Sequence, residues 1–145
     1  MPIITRDISV LYRKMQMGFD KLLAPLGLTN GKVMFLFCLD DNGAITQNQI
    51  CKELDMDKST VAKMLTKLEK EGFIYKRVNP DDSRAFLVEL SAKAHEIMSS
   101  AREAHDTWVQ LVTSDLTDIE KNIFIELVHK VSQKSILIAD DDSRV

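Results

Sequence analysis

The chain has 145 residues, 45% of them apolar and 28% charged, with three prolines, five glycines and two cysteines. That length buries a real core, and that composition excludes a largely disordered chain, a disulfide scaffold and a collagen-like repeat. The net charge of -3 argues against a uniformly basic nucleic-acid binder, and no basic-then-apolar leader or long apolar span stands in the sequence, so cytoplasmic residence is expected.

Residues 3–24 carry Ile8, Leu11, Met15, Phe19 and Leu22 at steps of three and four, which predicts one face of a first helix. Pro25 and Gly27 end it. Thr29 is placed to cap a second helix reaching about Asp40, apolar nearly all round and therefore expected to be buried. Asn42-Gly43 marks a turn, and Ile45 leaves room for a very short strand. Thr46 and Gln49 form a capping-box pattern at the start of a third helix, from which Ile50 and Leu54 point inward.

Asp55-Met56-Asp57 reads as a tight turn, with Asp57 capping a fourth helix that continues to Glu71 and stops at Gly72. Val61, Met64, Leu65 and Leu68 form its core stripe. Residues 73–78 and 85–90 read as antiparallel strands joined by the polar turn NPDDSR. Ser91 is placed to cap a fifth helix to about Thr113, with Ile97, Ala101, Ala104, Trp108 and Leu111 on one face. Asp115 or Thr117 begins a sixth helix bearing Leu116, Ile119, Ile123, Leu127 and Val131, with Phe124 and Val128 beside them. The tail, ADDDSRV, is acidic and expected to fray.

Charge is unevenly spread along this order. Residues 58–89 hold seven Lys/Arg against five Asp/Glu, whereas residues 90–145 hold six against ten. The positive excess sits where a short capped helix, a turn, a second helix and a hairpin follow one another. That succession predicts a winged helix-turn-helix, a device that places one helix in the major groove of DNA. Local charge, not total charge, steers a protein to phosphate.

The expected reading residues follow from position. Gln47 opens the third helix. Lys58, Ser59 and Thr60 occupy the first turn of the fourth, and Lys63, Thr66 and Lys67 continue along its outer side, with Lys70 beyond. Lys reaches guanine O6 or N7, and hydroxyls bond several base edges or phosphates. Lys76 and Arg77 lead into the wing and Arg84 leaves it; an Arg near a hairpin tip is suited to the minor groove. Asp82 stands two residues earlier, on the same side of an extended strand, where it can hold the guanidinium or simply stiffen the hairpin.

With these residues in place, the chain resembles the MarR family of bacterial transcription regulators over nearly its whole length. The resemblance is carried by QICKEL in the third helix, DKSTVAKMLTKLEKEGFIYKR from Asp57 to Arg77, and NPDDSRAFLVELS across the wing. Leu68-Glu69-Lys70-Glu71-Gly72-Phe73-Ile74 matches the family's Leu-Glu-x-x-Gly passage, and Asp82-Ser83-Arg84 matches its Asp-x-Arg wing. The sequence departs at Ile50-Cys51, where Leu-Ala is common, and at Leu90-Ser91-Ala92-Lys93-Ala94, where Leu-Thr-x-x-Gly is common.

The resemblance implies a mainly α fold with a small antiparallel β wing, in a single domain spanning 1–145. The winged module would be 29–90, and helices from 1–28 and 91–138 would form a dimerisation domain. It implies a homodimer on double-stranded DNA with a pseudo-palindromic operator, usually acting as a repressor, released by a small aromatic or anionic effector. Tyr12, Arg13, Phe35 and Phe37 are the expected pocket residues, since the first two helices meet near the module.

Other chemistries fit less well. Cys38 lies in an apolar run and Cys51 replaces a small core residue, which suits inert thiols better than a redox switch; relatives that sense peroxide commonly carry the cysteine in the first helix, where this chain has none. His95, His105 and His129 lack metal-ligand spacing, and neither a metal nor a cofactor is expected. No glycine-rich phosphate loop or nucleophile elbow suggests an enzyme. The alternative from another class is a winged-helix module used for protein contact.

Overall fold

The structure is a computed structural model and describes residues 1–141. The element order is α1 (Ile4–Leu23), α2 (Asn30–Asn42), β1 (Ile45–Thr46), α3 (Gln47–Leu54), α4 (Lys58–Lys70), β2 (Ile74–Asn79), β3 (Asp82–Leu90), α5 (Ala92–Val112) and α6 (Asp118–Asp140). A 3₁₀ turn, Ala24–Leu26, closes α1. The chain divides into two compact units, Met1–Trp108 and Val109 onward, with α5 running through the division. Acidic-tail residues beyond 141 lie outside the described residues.

In the first unit, local capping sets the helix boundaries. The Thr29 hydroxyl accepts from the Lys32 N–H, and the Asp20 carboxylate of α1 accepts from the Asn30 N–H at 2.6 Å, so α1 fixes where α2 begins. Thr46 and Gln49 form the reciprocal capping box, at 3.2 and 2.8 Å. Asp55 adopts φ +51°, a left-handed conformation that aspartate tolerates, and so turns the chain between α3 and α4. Gly72 takes φ +84° just past α4, where a Cβ would be strained.

The core joins α2 to every other layer of this unit. Val33, Phe35, Leu36 and Leu39 of α2 are buried with Phe19 and Leu23 of α1, Ile50 of α3, Val61, Leu65 and Leu68 of α4, Val88 and Leu90 of β3, and Ala94 and Ala101 of α5. The near-absence of a polar face on α2 is thus the signature of a central helix. The sheet order is β1-β3-β2, all antiparallel, with Ile45 paired to Val88 and Ile74 to Leu90.

Several expectations need adjusting. β3 begins at Asp82, not 85, because Asn79 pairs with Asp82 around a two-residue turn, with a bulge between Val78 and Asn79. On α1 the buried residue near the end is Leu23, while Leu22 is half-buried and Ile8 stays exposed, so only the C-terminal part of the expected face enters this core. On α5, Met98 and Ala94 are buried but Leu111 is exposed.

In the second unit, Thr117 caps α6 with a full capping box, its hydroxyl accepting from Glu120 N–H and the Glu120 carboxylate accepting from Thr117 N–H. That settles the choice between Asp115 and Thr117. Ile119, Ile123, Phe124, Leu127, Val128 and Val131 are all exposed along this helix. Among the described residues, no single helix is long and apolar enough to cross a membrane.

Candidate nucleic-acid interface

The α3–turn–α4 segment orients α4 from its inner side. Ile50, Val61, Leu65 and Leu68 are fully buried, which leaves Lys58, Ser59, Thr60, Lys63, Thr66 and Lys67 exposed on the opposite side. The Asp57 carboxylate accepts from Thr60 N–H at 2.7 Å and from the Ser59 hydroxyl at 3.0 Å. Those bonds, the backbone one foremost, hold Asp57 below the usual carboxylate range, so it stays ionised. The first turn of α4 is therefore capped by its own chain and offers side chains more than bare N–H groups. The Thr66 hydroxyl donates to the Ala62 carbonyl, which leaves its oxygen as an acceptor.

The other end of α4 is clamped. Lys32 of α2 donates to both oxygens of Glu71, at 2.8 and 3.1 Å, in a part-buried pair. Lys93 of α5 donates to the Glu71 carbonyl at 2.8 Å and sits 4.3 Å over the Phe73 ring. Two lysines from different helices thus occupy the negative end of the α4 dipole. The outward cations differ: among the described residues no ion pair neutralises Lys58, Lys63, Lys67 or Lys76.

A cleft of about 330 Å³ opens between the α3–α4 corner and the wing, lined by Gln47, Asn48, Lys58, Lys76, Arg84 and Phe86 among others, with no carboxylate in its wall. The Gln47 amide donates to the Lys58 carbonyl at 3.3 Å and ties the two helix starts together. Asp82 accepts from the Arg84 N–H at 3.0 Å and from its Nε at 3.4 Å, so the expected orienting pair is present. The Arg84 side chain is 91% exposed, which keeps its charge at the surface.

Arg77 is not brought to this cleft. It alternates with Lys76 and so faces the other side of the hairpin, where its Nε donates to Glu89 at 2.6 Å and the Tyr75 hydroxyl donates to the second Glu89 oxygen. The Arg77 bond, followed by that of Tyr75, holds Glu89 below the usual range. Asn48 and Phe86 were not anticipated. Asn48 neighbours Gln47 on a helix start, and Phe86 falls within the second expected strand of the hairpin.

The expected pocket residues are separated by depth. Phe35 and Phe37 are buried in the core, while Tyr12 and Arg13 lie exposed on α1, bonded within it to Gln16 and Ser9. Phe37 is covered by the Arg102 guanidinium at 4.3 Å, and that guanidinium also pairs with Asp40 and Asp41. The His105 ring meets Phe19 and Phe37 edge-on, at 5.9 and 6.1 Å. Burial pushes the Cys38 thiol up to about 11, so it is protonated and unreactive at neutral pH; Cys51 is half-buried.

Comparison with known proteins covers the same segments. Residues 28–86 match the model of the MarR family. The HTH-type transcriptional regulator BilQ of Clostridioides difficile is 25% identical over 90% of this chain and 88% of its own length. The HTH-type transcriptional repressor YetL of Bacillus subtilis is 24% identical over 92% and 80%. A crystal structure of a mutant MarR from E. coli complexed with operator DNA superposes with a TM-score of 0.82, at 26% identity over 88% of this chain and 92% of that one. The family model matches the α2-to-wing module and relatives align along nearly the whole length, so the chain is similar to MarR-family regulators over both spans.

Proposed function

We propose that this chain is a sequence-specific, DNA-binding transcription regulator, not an enzyme, acting in the cytoplasm as a homodimeric repressor of the MarR type. The observation that carries the reading is the cleft, where Gln47, Lys58, Lys76 and Arg84 converge from four elements with no carboxylate in its wall. Ser59, Thr60 and Lys63 on the outer face of α4 read base edges in the major groove; Thr66, Lys67 and Lys76 hold phosphate; Arg84, oriented by Asp82, enters the minor groove. Arg77 adds little net charge to the wing, since Glu89 already neutralises it.

The dimer is proposed from the apolar surface that each unit leaves uncovered. Ile4, Ile8, Leu11 and Tyr12 on α1, and Ile123, Leu127 and Val131 on α6, are exposed in the single chain. Stretches of that kind, in a protein of this size, are normally covered by a partner. Two-fold symmetry then accounts for a palindromic operator with half-sites about 10 bp apart. The relative in complex with operator DNA, and the relative that is a repressor, support this reading.

Release by a small aromatic or anionic effector completes the proposal. Tyr12 and Arg13 are open to solvent, but Phe35 and Phe37 are not, so a ligand touching all four must open the α1–α2 core. Linkage requires that such a ligand bind the DNA-incompetent dimer more tightly and that DNA weaken it by the same factor.

The experiment is a duplex-binding titration across salt with wild type and Lys63→Ala. Loss of preference at one base position per half-site means that Lys63 reads a base. A uniform loss with a flatter salt slope means that it holds phosphate. Wild-type binding that is weak and indifferent to salt would favour the protein-contact alternative instead.

A further inference from the structure

The wing carries an apolar pair that neither the core nor the cation cluster explains. Val78 and Phe86 lie directly opposite each other across β2 and β3, 59% and 55% exposed. Residues opposite one another share a face of the sheet, as do residues two apart. Leu90 and Val88, buried in the core, therefore share a face with Phe86 and then Arg84 on β3, and Ile74 shares it with Lys76 and Val78 on β2. The inner face of the sheet continues past the edge of the core, and beyond that edge its side chains have nothing of this chain to cover them.

What surrounds the pair identifies its occupant. Phe86 lines the same cleft as Lys58, Lys76 and Arg84. An exposed aromatic ringed by cations, with no carboxylate in the wall, is complementary to a polyanion that also offers apolar surface. Duplex DNA does so at the edge of the minor groove, where deoxyribose rings lie between phosphates.

We propose that Phe86, backed by Val78, is a DNA-contact residue that packs on deoxyribose at the minor-groove edge while Arg84 enters the groove. The inference rests on the DNA-reading proposal above and adds to it a contact that does not depend on counterions. Phosphate contacts release counterions and steepen the salt dependence of binding; an apolar contact releases none. Removing the exposed half of a Phe side chain from water corresponds to roughly tenfold in affinity.

The test compares wild type, Phe86→Thr, Phe86→Leu and Arg84→Ala on one duplex recovered by selection, at three salt concentrations, with the molar mass of each protein measured by light scattering. Threonine keeps β propensity at an exposed position, so folding is retained. Phe86→Thr is expected to weaken binding about tenfold at every salt concentration with the slope unchanged, and Phe86→Leu to recover most of that loss. Arg84→Ala is expected to lower the slope by about one. If Phe86→Thr binds within twofold of wild type while Arg84→Ala is weakened, the DNA reading stands and the Phe86 contact is overturned. A change in molar mass on Phe86→Thr also overturns it, by placing the ring in an interface between copies. Failure of wild type to select any duplex overturns both.

Discussion

The packing of α1 against α5 can be tested at one glycine. Gly18 lies in the C-terminal half of α1, and a Cβ built on it would stand 2.2 Å from Cζ3, 2.6 Å from Cη2 and 2.9 Å from Cε3 of Trp108. Three ring atoms lie inside any real contact distance, so Gly18→Ala must displace either the indole or the helix. Two terms oppose each other. Alanine in a helix interior is favoured over glycine by about 1 kcal/mol. Overpacking against a seated side chain costs about 1–3 kcal/mol. The balance is a net destabilisation of up to about 2 kcal/mol. For a protein of this size, that lowers the urea midpoint by up to about 1 M. Trp108 is the only tryptophan, so its fluorescence reports both the ring's displacement and the unfolding transition. In a Trp108→Leu background, followed by circular dichroism, the same alanine should become neutral or stabilising, because the ring it strikes is gone. A Gly18→Ala protein about 1 kcal/mol more stable than wild type, with an unshifted emission spectrum, would refute the packing of the ring on Gly18.

Other perturbations separate the charged groups of the wing and the buried thiol. Lys76→Ala should weaken duplex binding and flatten the salt slope, whereas Arg77→Ala should change the slope little, because Glu89 already pairs with Arg77; equal effects would show that the pair opens on DNA. Arg84→Ala should weaken binding strongly with an unaltered melting temperature, and Asp82→Ala should do so more mildly, since it removes the orienting partner and leaves the contact. Cys38 has its folded pKa raised from 9.0 to about 11 by burial. Its contribution to stability is complete below about 9 and is lost as pH rises toward about 11. Urea midpoints should fall over that window more steeply in wild type than in Cys38→Ala.

Features decided by local chemistry were legible in the sequence. The Thr46–Gln49 capping box, the Asp57 cap and the Gly72 stop each involve groups within four residues. The apolar run of α2 announced a central helix for the same reason: burial on all sides leaves no polar stripe. Features decided by register were not legible. The pairing of Arg77 with Glu89 spans twelve residues and depends on Tyr75 facing Glu89 across the hairpin. The polar start of β3 has no burial alternation to reveal it, so Asp82-Ser83-Arg84 read as loop. Phe86 sits in a strand of apolar residues that the sequence does not tell apart by exposure; only the place where the wing leaves the core exposes the ring. The apolar seams of α1 and α6 were legible as seams, and in the single chain they stay exposed.

In the proposed function two copies of this winged module read duplex DNA together, each through the outer face of α4 and the wing. It is tested most directly by selecting bound duplexes from a random library with the full-length protein and sequencing them. An enriched inverted repeat with half-sites about 10 bp apart centre to centre is expected, with preference lost at one position per half-site in Lys63→Ala if that lysine contacts a base. A library that shows no enrichment, or that returns one unsymmetric half-site bound by a monomer, would contradict it.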